Sequence, residues 1–191
     1  MKKLVLGISL ASMIFAVQSC EKKNETQNTD SEIVAPSEDS EMGVVSEVIV
    51  PLSSKSGSSV AGSATFTQSG NEVTLKVDVT GLKGSEHAIH IHENGDCSAD
   101  DGSSAGGHWN PTGDDHGKWG EGDFHYGDIG NLVADAEGKS TLVFTTDKWT
   151  LEENAENGLR GKSVIIHAKA DDFTSQPSGA AGDRIACGVI K

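Results

Sequence analysis

"EVTLKVDVT", residues 72–80, alternates without a break: Val73, Leu75, Val77 and Val79 fall on one face, and Thr74, Lys76, Asp78 and Thr80 on the other. Successive side chains of a β-strand point to opposite sides of the sheet, so the stretch reads as a strand with one face in a core and one in water. "EVIVPL" (47–52), "SATFTQ" (63–68), "STLVFTT" (140–146) and "SVIIHAK" (163–169) carry the same two-residue period. Gly and Asn punctuate them: "SGN" at 69–71 is a hairpin signal and "DAEG" at 135–138 is a turn. No amphipathic helix of respectable length is present, although "TLEENAEN" (150–157) could supply a turn or two. About eight short strands patterned on one side predict an all-β domain, an antiparallel sandwich or flattened barrel.

Two tracts interrupt the rhythm. Residues 93–128 are rich in Gly, Asp and His, and 170–183 in Gly, Ser and Asp. Loops of this length usually carry function. The first contains His108, His116 and His125, three of the seven histidines in the chain.

Parity sorts the rest. In "HAIHIHE" (87–93), Ile89 and Ile91 take the core face, so His90 and His92 share the outer one and His87 points inward. In "SVIIHAK", Val164 and Ile166 go in while His167 faces out with Lys169. Three imidazoles therefore stand on the outer wall, where the two long tracts can cover them. A His-x-His pair on one strand face is a good chelate. The loop adds His108, His116, His125 and Asp128 with spacing His-x7-His-x8-His-x2-Asp, a set of nitrogen and carboxylate donors. Three nitrogens and one oxygen suit zinc, and an all-imidazole site also suits copper.

The ends of the chain concern location. Lys2 and Lys3 precede an apolar run, 4–17, too short for a comfortable membrane span; this reads as an export signal. "VQSC" resembles a bacterial lipoprotein signal, so residues 1–19 read as a signal peptide and Cys20 as the lipidated first residue. Such a lipid tethers a protein to the cell-envelope membrane without making it span. Residues 20–43 are polar and acidic and read as a disordered tether, leaving 44–191 as one domain. With Cys20 set aside, Cys97 and Cys187 remain, and an oxidising compartment favours joining them. The chain carries 29 acids against 15 Lys and Arg, a net charge of −14; without Lys2 and Lys3 it is −16. That argues against nucleic acid as a partner.

"HAIHIHENGDCS", "SAGGHWNP", "HYGDIGNL" and "GDRIACGVI" together resemble the copper–zinc superoxide dismutases, over roughly residues 46–191. The resemblance implies an eight-stranded antiparallel Greek-key barrel or sandwich with two long functional loops. It implies superoxide as substrate and one copper and one zinc per subunit. Copper would be held by His90, His92, His108 and His167. Zinc would be held by His108, His116, His125 and Asp128, with His108 shared as a bridging imidazolate. Arg184 would dock the anion and, with His108, carry the catalysis. His87 would support the copper site through backbone, and Asp171 would link His90 to His116. Cys97–Cys187 matches the family disulfide beside Arg184. A homodimer is a further expected partner, and no motif selects its surface. The alternative from another class is a copper- and zinc-buffering or delivery protein without catalysis; Arg184 and Asp171 argue against it, since storage needs neither an anion dock nor a linking carboxylate. One departure stands out. The tract between His167 and Arg184 is shorter than in eukaryotic members and keeps Lys169 as its only base.

Overall fold

A computed structural model describes residues 46–191; the signal peptide, Cys20 and the acidic tether lie outside the described residues. Eight strands make up the described domain: β1 (Ser46–Ser54), β2 (Ala61–Ser69), β3 (Glu72–Thr80), β4 (Glu86–His92), β5 (Asp128–Val133), β6 (Ser140–Thr146), β7 (Ser163–His167) and β8 (Arg184–Val189). They form one antiparallel sheet in the order β5-β4-β7-β8-β1-β2-β3-β6. Its two end strands, β5 and β6, approach each other and nearly close it into a barrel.

The strand interiors follow the alternation. Val48, Val50 and Leu52 of β1, Ala64 and Phe66 of β2, and Val73 to Val79 of β3 are buried at every second position. Ile89 and Ile91 of β4 and Val164 and Ile166 of β7 join the same core. Trp149 is buried there, and Trp119 packs on it and on Phe144, so both indoles belong to the packing of this wall. The β2–β3 hairpin pairs Ser69 with Glu72 across a two-residue turn, and Asp135 accepts the N–H of Gly138 in the turn before β6.

Three details differ from the sequence reading. Residues 150–157 form turns closed by a bridge between Thr150 and Gly158, because Thr150 pairs through Asn157 and Leu159 instead of along a helix. Strand β7 stops at His167, where a register shift against β8 lets Ala168 and Lys169 bond Asp183 and Ala181 outside the ladder. Asp128 belongs to β5, not to the preceding loop.

Both long loops cross the outer face of β4 and β7. The first, 93–127, is tied by the Cys97–Cys187 disulfide to β8. Ala105 of its single 3-10 turn, Ser103–Ala105, packs with Ile165, Cys187 and Cys97 in a small second cluster outside the sheet.

Candidate metal centre

The outer positions of β4 and β7 deliver His90, His92 and His167, and an isolated bridge between His92 and His108 draws the first loop over them. His90, His92, His108 and His167 offer ring nitrogens that all lie within 4.8 Å of one another. His108, His116, His125 and Asp128 form a second such group. All but His108 are buried below a tenth of their surface, and His108's side chain is 3 % exposed.

The hydrogen bonds select which nitrogen of each ring is free. His92 Nδ1 donates to the Gly106 carbonyl at 3.0 Å and His167 Nδ1 to the Gly182 carbonyl at 3.2 Å, so their Nε2 lone pairs face each other 3.3 Å apart. Asp171 lies between two rings, its Oδ2 2.8 Å from His90 Nε2 and its Oδ1 2.9 Å from His116 Nε2. Accepting both Nε2–H groups leaves Nδ1 of His90 and of His116 as the free donor atoms, and both are buried without a hydrogen bond. His108 Nδ1 is 2.7 Å from Asp128 Oδ1 and 3.4 Å from His125 Nδ1, while its Nε2, on the far side of the ring, is buried and unpartnered among the four histidines. His116 Nδ1 lies 3.0 Å from Asp128 Oδ2, and that oxygen also accepts the N–H groups of Gly117 and His125. Inward-pointing His87 donates from Nδ1 to the carbonyl of His167 at 2.9 Å, behind the cluster.

These surroundings separate the two groups electrostatically. Burial pushes His167 down to about 3 and His108 to about 4, and pushes His92 well below its ordinary value. Burial lowers His116 as well, but the Asp128 and Asp171 carboxylates outweigh it and raise the ring to about 9. Burial would also raise both carboxyls; the imidazoles bonded to them hold Asp128 and Asp171 well below the usual carboxylate range instead.

A pocket of ≈ 390 Å³ opens onto His92, His108, His125 and His167, with Arg184 on its wall beside Ser178 and Gly182. The guanidinium is held by backbone: Nη1 donates to the Gly102 carbonyl at 2.7 Å and Nη2 to the Gly106 carbonyl at 2.6 Å. Gly106 thus orients both Arg184 and His92. Its φ of +75° favours glycine there, and a Cβ would lie 2.5 Å from Glu93 Oε1 and displace that carboxylate.

A model of the copper/zinc superoxide dismutase family (SODC) matches residues 60–190. The chain belongs to that family. It is 38% identical over 136 residues to Superoxide dismutase [Cu-Zn] 2 of Aquifex aeolicus, covering 69% of this chain and 80% of the relative. It is 40% identical over 139 residues to the Extracellular superoxide dismutase [Cu-Zn] of Drosophila melanogaster, covering 69% and 75%. Among solved structures, a double mutant of a SOD-like protein from Bacillus subtilis superposes with a TM-score of 0.67 at 33% identity, covering 74% of this chain and 95% of that one. The clock protein EA4 superposes at 0.68 and 37%, covering 76% and 93%.

A copper/zinc superoxide dismutase binds copper and zinc, and the donor groups fit both. Nitrogen ligands at about 2.0–2.1 Å around a tetrahedral ion are separated by roughly 3.3–3.4 Å. The His92–His167 and His108–His125 nitrogen pairs, at 3.3 and 3.4 Å, have that spacing. His92 and His167 already carry their hydrogens on Nδ1, so their facing Nε2 lone pairs repel at that distance unless a cation lies between them.

Sequence reasoning missed three supports. Asn131 of β5 accepts the backbone N–H of Asp171 at 2.7 Å and donates to its carbonyl at 3.0 Å. Gln176 does the same for His116. The Gly106 carbonyl is the third. A side-chain amide in a polar loop carries no signal of the backbone group it will meet.

Proposed function

We propose that this chain dismutates superoxide to dioxygen and hydrogen peroxide, with copper held by His90, His92, His108 and His167 and zinc by His108, His116, His125 and Asp128. The observation that carries the reading is His108, whose two ring nitrogens face two different donor groups at the floor of an Arg184-lined pocket. A single imidazole in that position is suited to bridge both ions as an imidazolate. Bound copper would supply one-electron redox cycling, and zinc, which has no redox chemistry, a fixed positive charge.

The residues around them do the rest. Arg184 docks the anion, since carbonyls anchor its Nη1 and Nη2 and hold the guanidinium at the pocket wall. His108 Nε2 takes and returns a proton at the pocket floor, and Asp128 at its Nδ1 keeps that nitrogen turned to the other group. Asp171 fixes the rings of His90 and His116, and His87 holds the backbone of His167. The chain's net charge of −14 opposes an anionic substrate, but surface charges beyond about 8 Å are largely screened at physiological salt, whereas Arg184 acts at contact.

The reading places the protein outside the cytoplasm, exported and lipid-anchored through Cys20. The disulfide supports an oxidising compartment. Globomycin-sensitive processing and labelling of Cys20 by a fatty-acid analogue test the anchor.

The activity is tested with the full chain, counting copper and zinc in the same sample. Dismutation should require copper, and Arg184→Ala should lower kcat/KM about 10–100-fold, the worth of one charge-assisted contact. Both metals bound with no dismutation above free copper would move the assignment to metal buffering.

A further inference from the structure

His116 sits in the first long loop, away from any ladder, yet both of its backbone polar groups are paired. Its N–H donates to Gln176 Oε1 at 3.0 Å, and its carbonyl accepts from Gln176 Nε2 at 2.8 Å. Both bonds come from one side chain 60 residues further on, in the second loop.

That side chain is presented by a turn that closes on itself. Asp172 Oδ1 accepts the N–H groups of Thr174 and Ser175, Asp172 Oδ2 accepts the Ser175 hydroxyl, and Asp172 N–H donates to the Gly179 carbonyl. At its end, Gly179 has φ +65°, and a Cβ there would lie 1.8 Å from Asp171 Oδ1 and 2.8 Å from His116 Nε2. The turn therefore rests directly on the Asp171–His116 pair while Gln176 grips the His116 backbone. Gln176 itself is exposed, so the apolar core does not depend on it.

We propose that Gln176 is the positioning residue of the second donor group: it sets where His116 stands, and so how tightly zinc is kept, without governing the four-histidine group. This deepens the zinc assignment above and rests on it. The selectivity follows from Asn131. It holds both backbone groups of Asp171, so His90 keeps its carboxylate partner when Gln176 is lost. His116 has no such second anchor for its backbone among the described hydrogen bonds.

The test uses the full chain with Gln176→Leu and Gln176→Glu, titrated with zinc and with copper against chelators. Cobalt(II) serves as a spectroscopic probe of the zinc position, and the metal-free proteins are melted. Gln176→Leu should weaken zinc about 10–100-fold, the usual effect of removing an outer partner, and change the cobalt spectrum. Copper affinity should stay at the wild-type value, and the metal-free protein should still unfold in one cooperative step, at a somewhat lower temperature because His116 N–H and C=O lose their partners. Gln176→Glu keeps the acceptor for His116 N–H but has no donor for its carbonyl, so its zinc affinity should fall between the two. Wild-type zinc affinity in Gln176→Leu overturns the inference, as does an equal loss of copper affinity or the absence of a cooperative unfolding transition. His125→Ala separates the two levels. If it loses zinc while Gln176→Leu does not, only the positioning role fails. If it keeps zinc, the cluster assignment fails and this inference with it.

Discussion

Strands β3 and β4 share one alternation and differ in burial. In β3, Val73, Leu75, Val77 and Val79 are buried while Glu72, Lys76, Asp78 and Thr80 are exposed. In β4, every residue from His87 to His92 is buried. The same contrast separates β6 from β7: Val143 is 64 % exposed, whereas outward-facing Ile165 is fully buried against Ala105 and Cys187. The strands do not differ in kind. The β4–β7 side is covered by two loops pinned by a disulfide and by side-chain amides, and the cover turns a solvent face into a dry site. Imidazoles placed there lose water, which lowers His92, His108 and His167 and leaves those three neutral and open to a metal near neutral pH.

Replacing the outward residue on each side tests this most strongly. Ile165→Ala should cost about 2–5 kcal/mol in urea unfolding, as for a core position, although its parity is that of a surface residue. A cost near zero would mean that the loop does not cover β7 in solution.

Asp171→Asn comes next. An amide cannot accept from both His90 and His116, so one ring must lose its tautomer; affinity for copper, zinc or both should fall about 10–100-fold in chelator competition. Equal binding by the variant would show that the rings are oriented by packing alone.

Acid sharpens the difference within the covered side. Near neutral pH the metal-free second group holds a proton on His116, at about 9, while His108 and His167 lose theirs at about 4 and about 3. On the assignment proposed above, zinc must displace that proton, so its apparent affinity should fall about tenfold per pH unit below 9 in chelator competition; an affinity that stays flat from pH 9 to 7 would contradict it. The sign for folding is opposite. A ring raised from 6.5 to about 9 stabilises the metal-free fold fully below pH 6.5, and that contribution disappears as the pH rises through 9. Melting the chelated protein across that window checks it; a melting temperature that rises there would contradict the His116 clamp.

The smallest effect belongs to the uncovered side. Val143→Ala should change stability by no more than about 0.5 kcal/mol in the same unfolding experiment.

Much of this was legible without coordinates. Two-residue periodicity located the interior of β1, β2, β3, β6 and β7, and parity separated inward His87 from outward His90 and His92. The end of β7 was missed because a register shift depends on the partner strand, and Asp128 reads as loop because its strand begins only where β4 receives it.

By itself the sequence determined which residues face which side and which can donate to a metal, since alternation and side-chain chemistry are local properties. The tertiary structure alone decided that His108 turns one nitrogen to each donor group, that Asp171 lies between His90 and His116, and that Gln176 and Asn131 hold the backbones of His116 and Asp171. Each of those contacts joins loops and strands far apart along the chain. Their partners are chosen by barrel closure and loop docking, which no local pattern encodes.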